Sequence, residues 1–152
     1  MSDSIREQIL QALVTRLEEI TLANGYSVDL TGAIHRARRF SRESHLPFLT
    51  IWDQKESASA EYDALQLTMG VEIELFADHG EENPSAVVNR LLADLMRSLT
   101  GGDNTLGGLA EDLIYTGSES IYSEDATTFC GVQVSLDVSY AIQPGDPFSK
   151  PD

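Results

Sequence analysis

Cysteine is nearly missing from this chain: its 152 residues include one, Cys130, which excludes an internal disulfide framework and suits a reducing compartment. Cys130 shares the parity of Val132 and Val134, so it reads as a buried, inert thiol with no electropositive neighbour to activate it. Histidine is scarce too. His35, His45 and His79 lie far apart, and no HExxH or CxxC brings two ligands onto one face, so no zinc site is expected. No apolar run approaches the ~20 residues of a membrane span. The opening residues, MSDSIREQ, have neither the basic nor the apolar part of a secretion signal, and the expectation is a chain made and kept in the cytoplasm. Basic residues are the last shortage. Ten Lys and Arg stand against 25 Asp and Glu, giving a net charge of −15, which disfavours binding to nucleic acid or to an anionic membrane.

Catalytic motifs are equally thin. The stretch GGDNTLGG (101–108) lacks the Lys and Ser/Thr of a phosphate loop and follows a helical pattern where a strand is required. No GxSxG frames any serine. Neighbouring carboxylates such as Glu111 with Asp112, or Glu124 with Asp125, arise readily in so acidic a chain, and nothing in the pattern buries one and solvates the other to split their pKa values. Asp78, His79, Glu81 and Glu82 sit at a helix start, where acidic side chains complement the dipole without any bound cation. The sequence therefore calls for no enzyme, no cofactor and no metal.

What is present is alternation. In FCGVQVSLDVSYAI (129–142), Val132, Val134, Leu136, Val138, Tyr140 and Ile142 fall on one parity and Gln133, Ser135, Asp137 and Ser139 on the other, the period of a half-buried strand. Leu65, Leu67, Met69, Val71, Ile73 and Leu75 repeat the pattern. Two long one-faced strands imply an antiparallel sheet. Its cover is supplied by two amphipathic helices. Ser4 and Glu7 form a capping-box pattern before a stripe of Ile5, Ile9, Leu13 and Leu17, predicting a helix over 5–23 closed by Asn24 and Gly25. Asn83 and Pro84 open a second helix carrying Val87, Val88, Leu91, Leu92, Leu95, Met96 and Leu99, which Gly101 and Gly102 stop.

Between these, residues 26–40 read as short β-like pieces with a turn near Thr31 and Gly32, the arginines of the alternating run 34–39 lying on the wet face, and 46–52 read as a strand entered at Pro47. Residues 54–63, QKESASAEYD, have almost no apolar anchor and read as a solvated, mobile loop. Residues 112–122 and 129–142 form two further strands joined through 123–127. The expected fold is α/β (α+β): a mixed, mainly antiparallel sheet of four to five strands with both helices on one face. This single domain spans 1–143, and 144–152, holding three of the chain's five prolines, is an extended arm.

The local anomaly is a basic cluster, Arg36, Arg38, Arg39 and Arg42 with His35 beside it, in a strongly acidic protein. It reads either as a solvated strand face or as a patch that docks onto the acidic surface of another copy or a partner. A protein of this kind is self-complementary, and head-to-tail contacts close into a ring when the rotation permits. The interface candidates are these four arginines together with Lys55, Glu56, Glu61 and Tyr62 of the polar segment.

The order of landmarks resembles the tail terminator and minor tail proteins of long-tailed bacteriophages, the group typified by the lambda tail terminator. It runs from an amphipathic helix through the arginine-bearing segment, LPFLTIWD (46–53), a polar stretch, LQLTMGVEIELFA (65–77) and a second helix to residues 106–148. Its most telling pieces are Leu46–Pro47 heading a strand, Leu106 and Gly107 before a strand with Ile114 and Tyr115, and Tyr140 before Gly145, Asp146 and Pro147.

The resemblance implies a virion protein that assembles as a hexameric ring on the tail tube, halts tube polymerisation and presents the surface for head–tail joining. Its implied partners are the tail tube protein and the head–tail connector or completion protein. Six copies at −15 each would carry roughly −90, so ring formation is expected to depend on concentration, ionic strength or divalent cations. Within the same class a head–tail completion (neck) protein is the competing reading. From another class, a cytosolic small-molecule-binding or regulatory domain would need a closed apolar pocket with convergent polar groups.

Overall fold

The computed structural model describes residues 2–124 and 127–151. Two α-helices and a five-stranded mixed sheet make an α+β fold, in the order α1 (Ile5–Leu17), β1 (Ile34–Arg36), β2 (Phe48–Glu61), β3 (Ala64–Asp78), α2 (Pro84–Thr100), β4 (Asp112–Tyr122) and β5 (Phe129–Ile142). Across the sheet the strands run β1-β2-β3-β5-β4. Only β1 and β2 pair in parallel; the other neighbours are antiparallel.

One parity of each long strand faces the helices. Leu49 and Ile51 of β2, Leu67 to Ala77 at alternate positions of β3, and Cys130 to Tyr140 at alternate positions of β5 join the apolar stripes of α1 and α2 in one core. Burial of such side chains, about 1.5–3 kcal/mol each, supplies most of the driving force. Cys130 lies in this core, and burial pushes its thiol up from the usual range. The helices begin where the caps place them. Ser4 accepts from Glu7 N, and Asn83 accepts from Ser85 N and Ala86 N, satisfying amides that have no partner inside the helix.

The opposite face of the sheet is polar over its middle and aromatic at one end. Four of the five phenylalanines gather there: Phe40 stacks on Phe76 at 4.2 Å between centroids and meets Phe48 and Phe129 at 5.5 and 5.2 Å. Phe40 reaches this face because the segment after β1 folds across it, where Arg38 N donates to the buried hydroxyl of Thr50.

Four expectations are corrected. Residues 54–63 are not a mobile loop: β2 continues to Glu61 and pairs with β3 as far as Glu61 opposite Ala64, so that Tyr62 and Asp63 alone form the turn. Hairpin pairing with β3 supplies the order that the side chains of this stretch do not. The first helix stops at Leu17, and Ile20 reaches the core from a turn whose carbonyl accepts from Leu30 N. The strand expected along the alternating run 34–39 shrinks to three residues, Ile34–Arg36, because Ala37 adopts a left-handed φ of 50°. Residues 144–151 turn back instead of extending: Gln143 N donates to Ser149 O, and Pro147 O accepts from Ile5 N at 2.9 Å. Met1, Asp125, Ala126 and Asp152 lie outside the described residues, and with them part of the 123–127 connection, of the Glu124–Asp125 pair and of the terminal segment.

Candidate functional site

Strand β2 is the axis of the candidate surface, since the interface residues expected from sequence fall at its near end, its middle and its far tip. At the near end, the last residue of β1, Arg36, and the segment 37–42 after it carry the arginines. Arg36 is engaged within the chain: its guanidinium donates twice to Glu7 of α1, at 2.6 and 2.9 Å. The hydrogen bonds from Arg36 hold the Glu7 carboxyl below its ordinary pKa. Arg38, Arg39 and Arg42 are exposed. Arg38 Nη1 lies 3.4 Å from His35 Nδ1. Arg39 lines a shallow cleft with Trp52, Gln54, Glu72 and Glu74 on the helix-free face.

A second cleft, of about 360 Å³, opens beside Arg38. Its lining includes His35, Glu43, His45, Pro47 and Phe48. The His35 ring stacks on buried Phe48 at 4.6 Å, which gives the cleft an aromatic floor. Burial, and then the charge of Arg38, lower the His35 pKa from its usual value.

In the middle of β2 the register shifts between Asp53 and Glu56. Such a bulge re-aims side chains, and here Glu56 meets Arg6 of α1 at 2.9 Å while Asp53 meets the same guanidinium at 2.8 Å. Tyr140 donates its hydroxyl to Glu56 as well. Burial would lower the pKa of Arg6, but the bond to Asp53 and the charges of Glu56 and Asp53 outweigh it and raise it. Burial, reinforced by Glu56, pushes the Tyr140 phenol up. Glu56 thus fastens α1 to the sheet, and Lys55 beside it is exposed.

At the far tip, Glu61 closes the last pair of the hairpin, accepting from Ser59 Oγ at 3.4 Å. Tyr62 follows on the turn, 94% exposed, and Asp63 holds the turn at φ 62°, a conformation that short polar side chains tolerate. The structure therefore divides the arginines, with Arg36 against α1, Arg38 at the cleft beside His35 and Arg39 at the cleft beside Trp52, separates them from Glu61 and Tyr62 by the length of a strand, and assigns Arg36 and Glu56 to internal ion pairs. Sequence reasoning passed over Arg6 and read Glu7 only as a helix-capping residue, because nothing local marks either as the partner of a strand residue.

The helix-free sheet face holds Glu72, Glu74, Glu119 and Asp137 by register. Trp52 Nε1 donates to Glu74 at 2.7 Å, and Gln133 donates to Glu72. The acidic helix start is organised by internal bonds: Asp78 accepts from Gly80 N and Thr128 Oγ1, which hold its carboxyl below the usual range, and Glu82 pairs with Arg90. Among the described residues, no group of three or more His, Cys, Asp or Glu is placed to hold a metal ion, and no helix is long and apolar enough to cross a membrane.

No family model matches the chain, and no curated protein matches it. Among solved structures, it is similar to a chain described as the virion of a native gene transfer agent particle, at 9% identity and a TM-score of 0.45, covering 90% of each chain. A likeness of that degree does not assign a function.

Proposed function

We propose that this protein is a structural component of a phage-type virion, a tail terminator that caps the tail tube as a ring, ends tube polymerisation and offers the surface to which the head joins. The role is one of assembly and not of catalysis, and it uses no cofactor. Its partners are further copies of itself, the tail tube protein and a head–tail connector or completion protein, and its place is the tail of the virion, assembled in the host cytoplasm.

The reading starts from the order of landmarks that the chain has in common with lambda-type tail terminators over nearly its whole length. The observation that carries it is the division of charge along β2. Exposed Arg38 and Arg39 lie at one end, and Glu61, Tyr62 and Asp63 lie at the other, so one copy presents unlike surfaces to its two neighbours, as a head-to-tail ring requires. The carboxylates on the helix-free face are suited to a lumen through which DNA passes without adhering.

Electron microscopy of particles from a phage or prophage lacking this gene tests the proposal. Overlong tubes and unattached filled heads are expected. Tails of normal length left unattached would move the protein to the joining step, as a neck protein, and normal infectious particles would end the virion reading.

A further inference from the structure

The two ends of β2 fit one another in a way that neither needs for folding. The far end is a preformed anchor. Pairing of β3 with β5 runs to Leu65 opposite Ile142, one residue short of the hairpin's last pair, Glu61 opposite Ala64, so the turn lies at the end of the sheet. Tyr62 at 94% exposure touches almost nothing in its own chain, and a carboxylate flanks it on each side, Glu61 and Asp63. The strand behind it is Ser57, Ala58, Ser59 and Ala60, all exposed. Small side chains there leave the tip narrow enough to enter a concave site.

The near end is such a site. The cleft of about 360 Å³ beside Arg38 has the stacked rings of His35 and Phe48 and the Pro47 ring in its lining. At ~30 Å³ per water molecule it holds roughly a dozen waters, which a phenol and its flanking backbone would displace. Aromatic surfaces gain from stacking beyond the area they bury. Charge matches as well. Arg38 stands in the lining with His35 and His45, and Arg39 lies on the adjacent loop. Glu43 is the one carboxylate of the lining. Arg36 is already neutralised by Glu7.

A chain cannot fill its own cleft. Phe48 and Glu61 bound a strand of 14 residues, and at ~3.3 Å per residue its ends are roughly 40 Å apart. We infer that the hairpin tip Glu61–Tyr62–Asp63 of one copy seats in the His35–Arg38–Pro47 cleft of the next, with Tyr62 on the aromatic floor and Glu61 toward Arg38. The contact is heterologous: each copy gives its tip to one neighbour and its cleft to the other. This deepens the proposed ring by naming its joint, and it rests on that reading only for the closure of the ring.

The test is sedimentation of the full-length protein over a range of concentrations. Wild type is expected to associate as concentration rises. Tyr62→Ala should weaken association roughly 30-fold, the effect of losing a central aromatic anchor. Glu61→Arg and Arg38→Glu should each weaken it about tenfold, and the two together should recover most of the loss, because the pair is restored with its charges exchanged. All three positions are exposed, so thermal unfolding should stay close to wild type and separate lost docking from lost folding. Wild type that remains monomeric throughout would overturn the inference, as would single variants that associate like wild type or a double variant no better than the singles. Intact assembly in all of these variants would overturn the joint alone, whereas a normal deletion phenotype would overturn the virion role with the joint untouched.

Discussion

The Asp94 carboxylate is 7% exposed and accepts from Ser27 N, Ser27 Oγ and Val28 N at 3.1, 2.7 and 3.0 Å. It ties the segment that leads into β1, and thus the arginine-bearing loop, to α2. Removing an acceptor from buried donors costs the desolvation of each stranded group. Asp94→Ala is expected to lower stability by about 2–3 kcal/mol in urea unfolding, with Asp94→Asn recovering part of the loss through its remaining carbonyl oxygen. The apolar stripe of the second helix was legible from its spacing, but Asp94 was not. It occupies a core-facing position of that stripe between Leu91 and Leu95, and its partners lie more than sixty residues away. The pairing of Arg6 with Glu56 was hidden for the same reason, since only the fold brings α1 against the bulge of β2.

Among the elements, β5 shows how closely packing follows from one residue choice. Gly131 pairs with Phe76, and a Cβ added there would stand 2.7 Å from both Leu75 O and Phe76 Cδ1. Phe76 is in turn stacked under Phe40, so its ring has little room to move. Gly131→Ala is therefore expected to destabilise the protein by about 1–3 kcal/mol, measured by thermal unfolding, and to shift the near-ultraviolet signal of the aromatic cluster. Strands 112–122 and 129–142 and the second helix were readable from sequence because alternation, an Asn-Pro start and a Gly-Gly stop each act locally. The far half of β2 was not. Ser57 to Ala60 are exposed on both faces, so no period marks them, and their strand state comes from pairing with β3. The first helix was read too long for a related reason: Ile20 continues the apolar spacing but reaches the core from a turn.

For the whole molecule the governing quantity is the net charge of −15. Copies of such a protein repel at long range, while a basic loop and an acidic tip at opposite ends of one strand attract at contact. Screening shortens the first interaction more than the second, because the Debye length falls from ~30 Å at 0.01 M salt to ~8 Å at physiological ionic strength. The mixed sheet has its helices on one side, and beyond the segment that packs Phe40 on the other side the carboxylates there would face a common channel once the copies close on each other. Both features belong to the assembled object more than to the single chain.

The measurement that bears most directly on this account is cryo-electron microscopy of complete particles, with this protein located by its own density. The account predicts a single ring of copies at the head-proximal end of the tail tube, joined tip to cleft. Copies distributed along the tube, or particles that contain none, would contradict it.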